Sequence, residues 1–142
     1  MTSSSSHPTL PGYQPMGAAS GFNTYVGAFL VDPAKAAGTP ERFAFLPEPK
    51  HLNGGGALHG GLLMTLADTF LGFTVQEAAS PGMASTVTLN TDFLAGGTAD
   101  APVFAEATIT RKTRSLIFVS GTLTQSGRLL MTATGIWKVL GA

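Results

Sequence analysis

The sequence predicts an α+β domain in which one long helix is wrapped by one curved antiparallel sheet. Three observations lead there. Residues 62–79 form one apolar segment of helical length with almost no charge, and the pattern after it changes to alternation in four successive stretches. A lone apolar helix must bury itself against something, and the sheet built by those stretches is the only large partner available. At 142 residues the chain has the size of one ordinary domain.

Taken in order, residues 1–21 are rich in Ser, Pro and Gly without helical or strand periodicity, and are expected to form a mobile arm outside the single domain at 22–142. His7 lies in this arm and is given no role. A β-prone stretch from Phe22 to Val31 ends at Asp32-Pro33, and Arg42 to Leu46 is a second short strand before Pro47 and Pro49. The glycine-rich loop from His51 to Gly56 leads into His59-Gly60-Gly61 and then the helix, Leu62 to about Ala79, which stops before Pro81-Gly82. Ser85 to Leu94 places Val87, Leu89, Thr91 and Phe93 on one face, and Val103 to Arg111 does the same with Val103, Ala105, Ala107 and Ile109. Ser115 to Leu123 and Leu129 to Leu140 follow, joined through the hairpin signal Gln125-Ser126-Gly127. Short turns between these four strands predict a meander.

Composition excludes several functions. Eight basic residues balance eight acidic ones, so the strong positive excess of a nucleic-acid binder is missing. There is no cysteine, hence no disulfide, thiolate nucleophile or cysteine-bound metal. The first residues lack the basic start and apolar run of a secretory signal, so a cytoplasmic location is expected. The longest apolar run, Leu62 to Val75, falls short of the roughly 20 residues that span a bilayer and carries Asp68 in its middle. Charged residues are only 11% of the chain, against about 25% in a typical domain, which favours a surface partly covered by another subunit.

Asp68 is the only acidic or basic side chain between Lys50 and Glu77, histidines aside. Aspartate is a poor mid-helix residue, burying its face would strip water from the carboxylate at a cost of several kcal/mol, and carboxylates so perturbed collect at working sites, though not only there. The plain alternative is a solvated stripe, or hydrogen bonds from Thr65 or Thr69. His59-Gly60-Gly61 puts unhindered N–H groups at the positive end of the helix, where a polarised carbonyl oxygen can dock. The alternative there is close packing of the helix on the sheet. Gly60 and Asp68 are about 12 Å apart along a helix, whereas groups acting on one carbon lie within about 3 to 3.5 Å of it. If both serve one reaction, they come from different subunits across a two-fold axis.

Asn53, Gly56, His59-Gly60-Gly61 and Leu66-Ala67-Asp68-Thr69 together resemble the signature of hotdog-fold acyl-CoA thioesterases of the phenylacetate-pathway and human thioesterase-superfamily type, related to the hydroxybenzoyl-CoA thioesterases. The resemblance spans roughly residues 22–140, with Gly127-Arg128-Leu129-Leu130 and Gly135-Ile136-Trp137-Lys138 similar to the closing hairpin. It implies a dimer, often paired into a tetramer, that hydrolyses an acyl- or aryl-CoA without metal or organic cofactor. Asp68 is implied as general base or nucleophile and Gly60 as donor to the thioester oxygen. Asn53 would orient substrate or water, and His59 would support that arrangement. Thr86 is implied as the assisting hydroxyl, with Ser85 or Thr88 as alternatives. No Gly-x-Ser-x-Gly elbow is present, and none is required, because a thiolate leaves readily.

Arg111, Lys112 and Arg114 are suited to the phosphates of coenzyme A, or else to a solvated turn. His51, His59 and Asp68 lack metal-ligand spacing, so no metal is expected. Trp137, Phe93, Phe104 and Phe118 are read as core or interface. Two rival functions are a hotdog hydratase or dehydratase and a non-catalytic acyl-CoA or lipid-binding protein; neither membrane nor nucleic acid is expected as a partner.

Overall fold

The computed structural model describes residues 10–17, 21–34 and 38–142, so His7 lies outside the described residues. The elements are β1 (Gln14–Pro15), α1 (Phe22–Val26), β2 (Ala28–Val31), β3 (Glu41–Leu46), a 3-10 turn (Pro49–His51), α2 (Gly60–Ala79), β4 (Ala84–Phe93), β5 (Val103–Lys112), β6 (Leu116–Gln125) and β7 (Arg128–Val139). The strands form one antiparallel sheet in the order β1-β2-β3-β5-β6-β7-β4. No helix among the described residues is long and apolar enough to cross a membrane.

The core lies between α2 and the sheet. Leu62, Leu63, Leu66, Ala67, Phe70, Leu71, Thr74 and Val75 are buried, which is two neighbouring rows at four-residue spacing. They pack against inward side chains including Phe43, Phe45, Val119 and Met131, and the ring of Phe70 stacks on Phe43 at 4.8 Å. Each such Leu or Phe contributes about 1.5 to 3 kcal/mol on leaving water. The remaining strip of α2, including Met64, Thr65, Asp68, Thr69, Gly72 and Phe73, faces a slit flanked by Met16 after β1 and Leu89 of β4. The curled sheet therefore almost encloses the helix and leaves one strip uncovered.

Four features differ from the sequence-based expectation. Phe22–Val31 is not one strand: α1 occupies its first half, and Gly27, at φ 147°, separates it from β2. Part of the expected arm belongs to the sheet, because Gln14–Pro15 pairs with β2 and Met16 packs against the core. The glycine pair at 60–61 lies inside α2 as its first turn. The meander is limited to β5-β6-β7, because β4 crosses to the far edge and pairs with β7 while β3 takes the place beside β5.

That crossover is tied down by one side chain. Gln125, 4% exposed, accepts from the Thr98 amide at 2.8 Å and donates through Nε2 to the carbonyls of Thr98 (2.9 Å) and Ala101 (2.8 Å). It immediately precedes the turn Ser126-Gly127, whose two positive φ values, 51° and 78°, match a tight hairpin. Replacing Gln125 by Leu strands these buried backbone groups. The expected loss is about 1 to 3 kcal/mol, read as a lower midpoint in urea unfolding with an unchanged slope.

Candidate active site

The loop before α2 is closed by its own polar groups. Asn53 Oδ1 accepts from the amides of Gly55 (2.9 Å) and Ala57 (3.1 Å), and the Asn53 amide donates to the Ala57 carbonyl. The Asn53 side chain therefore shapes the loop through its oxygen, while Nδ2 has no protein partner among the described residues. His51 is 8% exposed and holds the loop from behind: its carbonyl accepts from the His59 amide, and Nδ1 accepts from the Glu48 amide at 2.9 Å.

His59 is the N-cap of α2, and its Nδ1 accepts from the Gly61 amide at 2.8 Å. This corrects the expectation of two open amides at the helix start. Gly61 is committed to His59 Nδ1, and the amides of Leu62 and Leu63 both donate to the His59 carbonyl. The Gly60 N–H is left as the one donor of the first turn without a partner among the described residues, at the positive end of the 20-residue helix. A Cβ added at Gly60 would sit 3.4 Å from the Phe93 ring. Phe93, 53% exposed, thus stands beside Gly60, on the strand face that alternation gives it with Leu89 and Thr91.

Asp68 stands on the uncovered strip of α2, two turns further on. It is exposed in the single chain, which corrects the expectation of a carboxylate buried by its own fold. The strip stays open because the sheet edges do not meet over it. The hydrogen bond to Asp68 Oδ1 comes from the Thr86 hydroxyl at 2.9 Å, rather than from Thr65, whose hydroxyl donates to the Gly61 carbonyl.

A β-bulge explains why it is Thr86. Thr86 lies opposite Trp137 and Thr88 opposite Ile136, so Val87 is an extra residue and the alternation of β4 inverts there. Leu89 lines the slit with Asp68, and the Thr91 hydroxyl meets Met64 Sδ at 2.9 Å. Before the bulge the residue on this same side is Thr86, while Val87, grouped with Leu89 by strict alternation, is 59% exposed. Ser85 is not brought to Asp68, and the Thr88 hydroxyl accepts from Asn90 Nδ2.

Arg111, Lys112 and Arg114 are all exposed, and Lys112 Nζ also donates at 2.6 Å to the Ala78 carbonyl in the last turn of α2, a favourable position for a cation. No group of three or more metal-ligating side chains occurs among the described residues. The site's own resources are one carboxylate with a hydroxyl donor, and one free amide about 12 Å away along the same helix. Together they suit attack on an activated carbonyl, provided that both can reach one carbon.

Residues 55–132 match the thioesterase superfamily. A Pseudomonas aeruginosa protein named as an esterase is 31% identical over 93 residues, covering 65% of this chain and 69% of its own. The crystal structure of a Ralstonia eutropha protein, named as a thioesterase related to phenylacetic acid degradation, superimposes with a TM-score of 0.76 at 25% identity, covering 87% of this chain and 94% of the other. A Bacillus halodurans protein crystallised with CoA gives 0.66 at 27% identity, over 70% of this chain and 66% of that one. With its long helix inside a seven-stranded antiparallel sheet, the chain has the hotdog fold and belongs to the thioesterase superfamily.

Proposed function

We propose that the protein is an acyl-CoA thioesterase whose site is completed by a second copy of the chain. The observation that carries this reading is the pair formed by Asp68, held by Thr86, and the single unpartnered amide of Gly60. On one helix they are too far apart to act on one carbon. A two-fold arrangement brings Asp68 of one protomer to Gly60 of the partner subunit, twice per dimer. The edge strand β4 supports such a partner, because its outer side is unpaired and Met83, Val87, Phe93 and Leu94 are exposed on or beside it. A tetramer would repeat the same pair.

In this arrangement the thioester oxygen accepts from the Gly60 amide, with the helix dipole behind it. Asp68 as general base takes a proton from water while the water oxygen bonds to the carbonyl carbon. The oxyanion then collapses, the carbon–sulfur bond breaks, and CoA leaves as thiolate to be reprotonated. As nucleophile, Asp68 instead forms a mixed anhydride that water hydrolyses. Thr86 orients the carboxylate in either route. His59 keeps the Gly61 amide occupied, so that the oxygen meets Gly60 alone, and Asn53 Nδ2 would be the donor that orients substrate or water. A good leaving group, a carboxylate and an amide donor suffice, so the reaction needs neither metal nor organic cofactor. Arg111 and Arg114 are proposed to pair with CoA phosphates, an assignment helped by the relative crystallised with CoA. A cytoplasmic location fits a CoA-dependent activity.

Asp68→Asn is expected to keep the thermal unfolding midpoint and to lower kcat about 10²- to 10⁴-fold in a thiol-release assay over a panel of acyl-CoA substrates; near-native turnover would remove Asp68 from the reaction. Single-turnover hydrolysis in ¹⁸O-water separates the two routes, since only the nucleophilic one leaves label in the Asp68 carboxylate. Alanine at both Arg111 and Arg114 is expected to raise KM with kcat unchanged. An unaltered KM would return both arginines to the solvated surface.

A further inference from the structure

The slit beside Asp68 widens into a groove of about 650 Å³. Its floor is the uncovered strip of α2, one side is Leu89 of β4, and the opposite side is Met16 with Phe22 of α1. Among the described residues Asp68 is the only ionisable side chain in the lining. Two of the other polar residues are already spent: Thr65 donates to Gly61, and Gln76 bonds the Gly82 carbonyl and the Ala84 amide. Asn23 and Thr69 are the other polar lining residues, and the rest of what a ligand meets is chiefly apolar, from Met64, Phe73, Leu89, Met16 and Phe22. Phe22 is 67% exposed in the single chain, a large aromatic surface in the lining.

The wall containing Phe22 is fixed to the reacting loop. Lys50 Nζ donates to the Tyr25 carbonyl at 3.2 Å, and His51 Nε2 donates to the Val26 carbonyl at 2.5 Å. The last turn of α1 is thereby anchored to the 3-10 turn that runs into Asn53. Because His51 Nδ1 accepts from Glu48, its Nε2 carries the proton for that bond, and both ring nitrogens are engaged. The two clamps hold the distance between α1 and the Asn53–Gly60 loop.

We propose that Met16 and Phe22 form the specificity wall of the acyl site: the groove takes the uncharged acyl group carried on the carbon at Asp68, and Phe22 sets how broad that group can be. This rests on the thioesterase reading for the placement of the reacting carbon. Phe22 and Leu89 both line the groove, so the Phe22 ring takes up room in it, and trimming it admits bulkier groups. Anionic acyl groups are disfavoured by Asp68 and by the lack of any cation in the lining among the described residues.

The test uses the full chain and two non-hydrolysable thioethers, S-hexyl-CoA and S-(2-naphthylmethyl)-CoA, titrated calorimetrically into the wild type, Phe22→Ala and Phe22→Trp. The Kd ratio of the naphthylmethyl to the hexyl compound is expected to fall about tenfold in Phe22→Ala and to rise in Phe22→Trp, with CoA itself binding as before. A ratio unchanged within about twofold in both variants, or wild-type binding that gains nothing from either S-substituent, overturns the proposal. Because neither compound turns over, the ratio reads the wall independently of catalysis. Hydrolysis of hexanoyl-CoA, measured in parallel, tests the thioesterase reading alone.

Discussion

The hydrogen bond from Thr86 to Asp68 ties the middle of α2 to the last strand of the sheet, and the site takes its geometry from that tie. On one side of it, the buried rows of α2 fix the helix in the curl of the sheet. On the other, the helix strip and the edge of β4 stay open, flanked by Met16, Phe22 and Leu89. A carboxylate on an apolar helix is costly to cover without partners. Here a hydroxyl approaches it from a strand that has bulged to supply one, and the apolar remainder of the strip is free to receive substrate.

The opposite end of the helix is organised by subtraction. Of the first-turn amides, Gly61 is claimed by the His59 ring and the next two by the His59 carbonyl, so Gly60 alone points outward. Asn53 and His51 hold the loop that makes this possible, each spending side-chain acceptors on backbone amides. One open donor at a helix start defines where a single carbonyl oxygen sits, whereas two would leave a choice. Helix rise separates that donor from Asp68 within the chain. The same separation that makes one protomer incomplete makes a two-fold pair sufficient, with the exposed apolar residues along β4 as the surface through which copies meet.

Much of this was legible in the sequence because it is local. The glycines, His59 and Asp68 lie within one loop and helix, where spacing translates directly into position, and the β5-β6-β7 hairpins announced themselves by alternation and by Ser126-Gly127. What escaped depends on contacts distant in sequence or on a broken pattern. The place of β4 at the sheet edge depends on which strand β7 accepts, which no local period encodes. The bulge at Val87 inverted the alternation, so strict parity grouped Val87 with Leu89, and the resemblance alone left Thr86, Ser85 and Thr88 as alternatives. α1 read as strand because five residues are too few to show a helical period. Gln125 and His51 were not anticipated as buried clamps, since a single polar residue that satisfies backbone groups across the fold leaves no periodic trace.

The central claim is that each site draws Asp68 and the Gly60 amide from different chains, and mixed dimers test it most directly. Gly60→Pro removes the N–H at a helix position that tolerates proline, with its added Cβ 3.4 Å from the Phe93 ring, and Asp68→Asn disables only the carboxylate. The two variants are co-expressed with different tags and purified so that every dimer holds one of each. Each variant alone is expected to be inactive, and the mixed dimer to recover about half of wild-type turnover, because one of its two sites is then intact. Mixed dimers as inactive as their parents would contradict the account, as would full activity in dimers of Gly60→Pro alone.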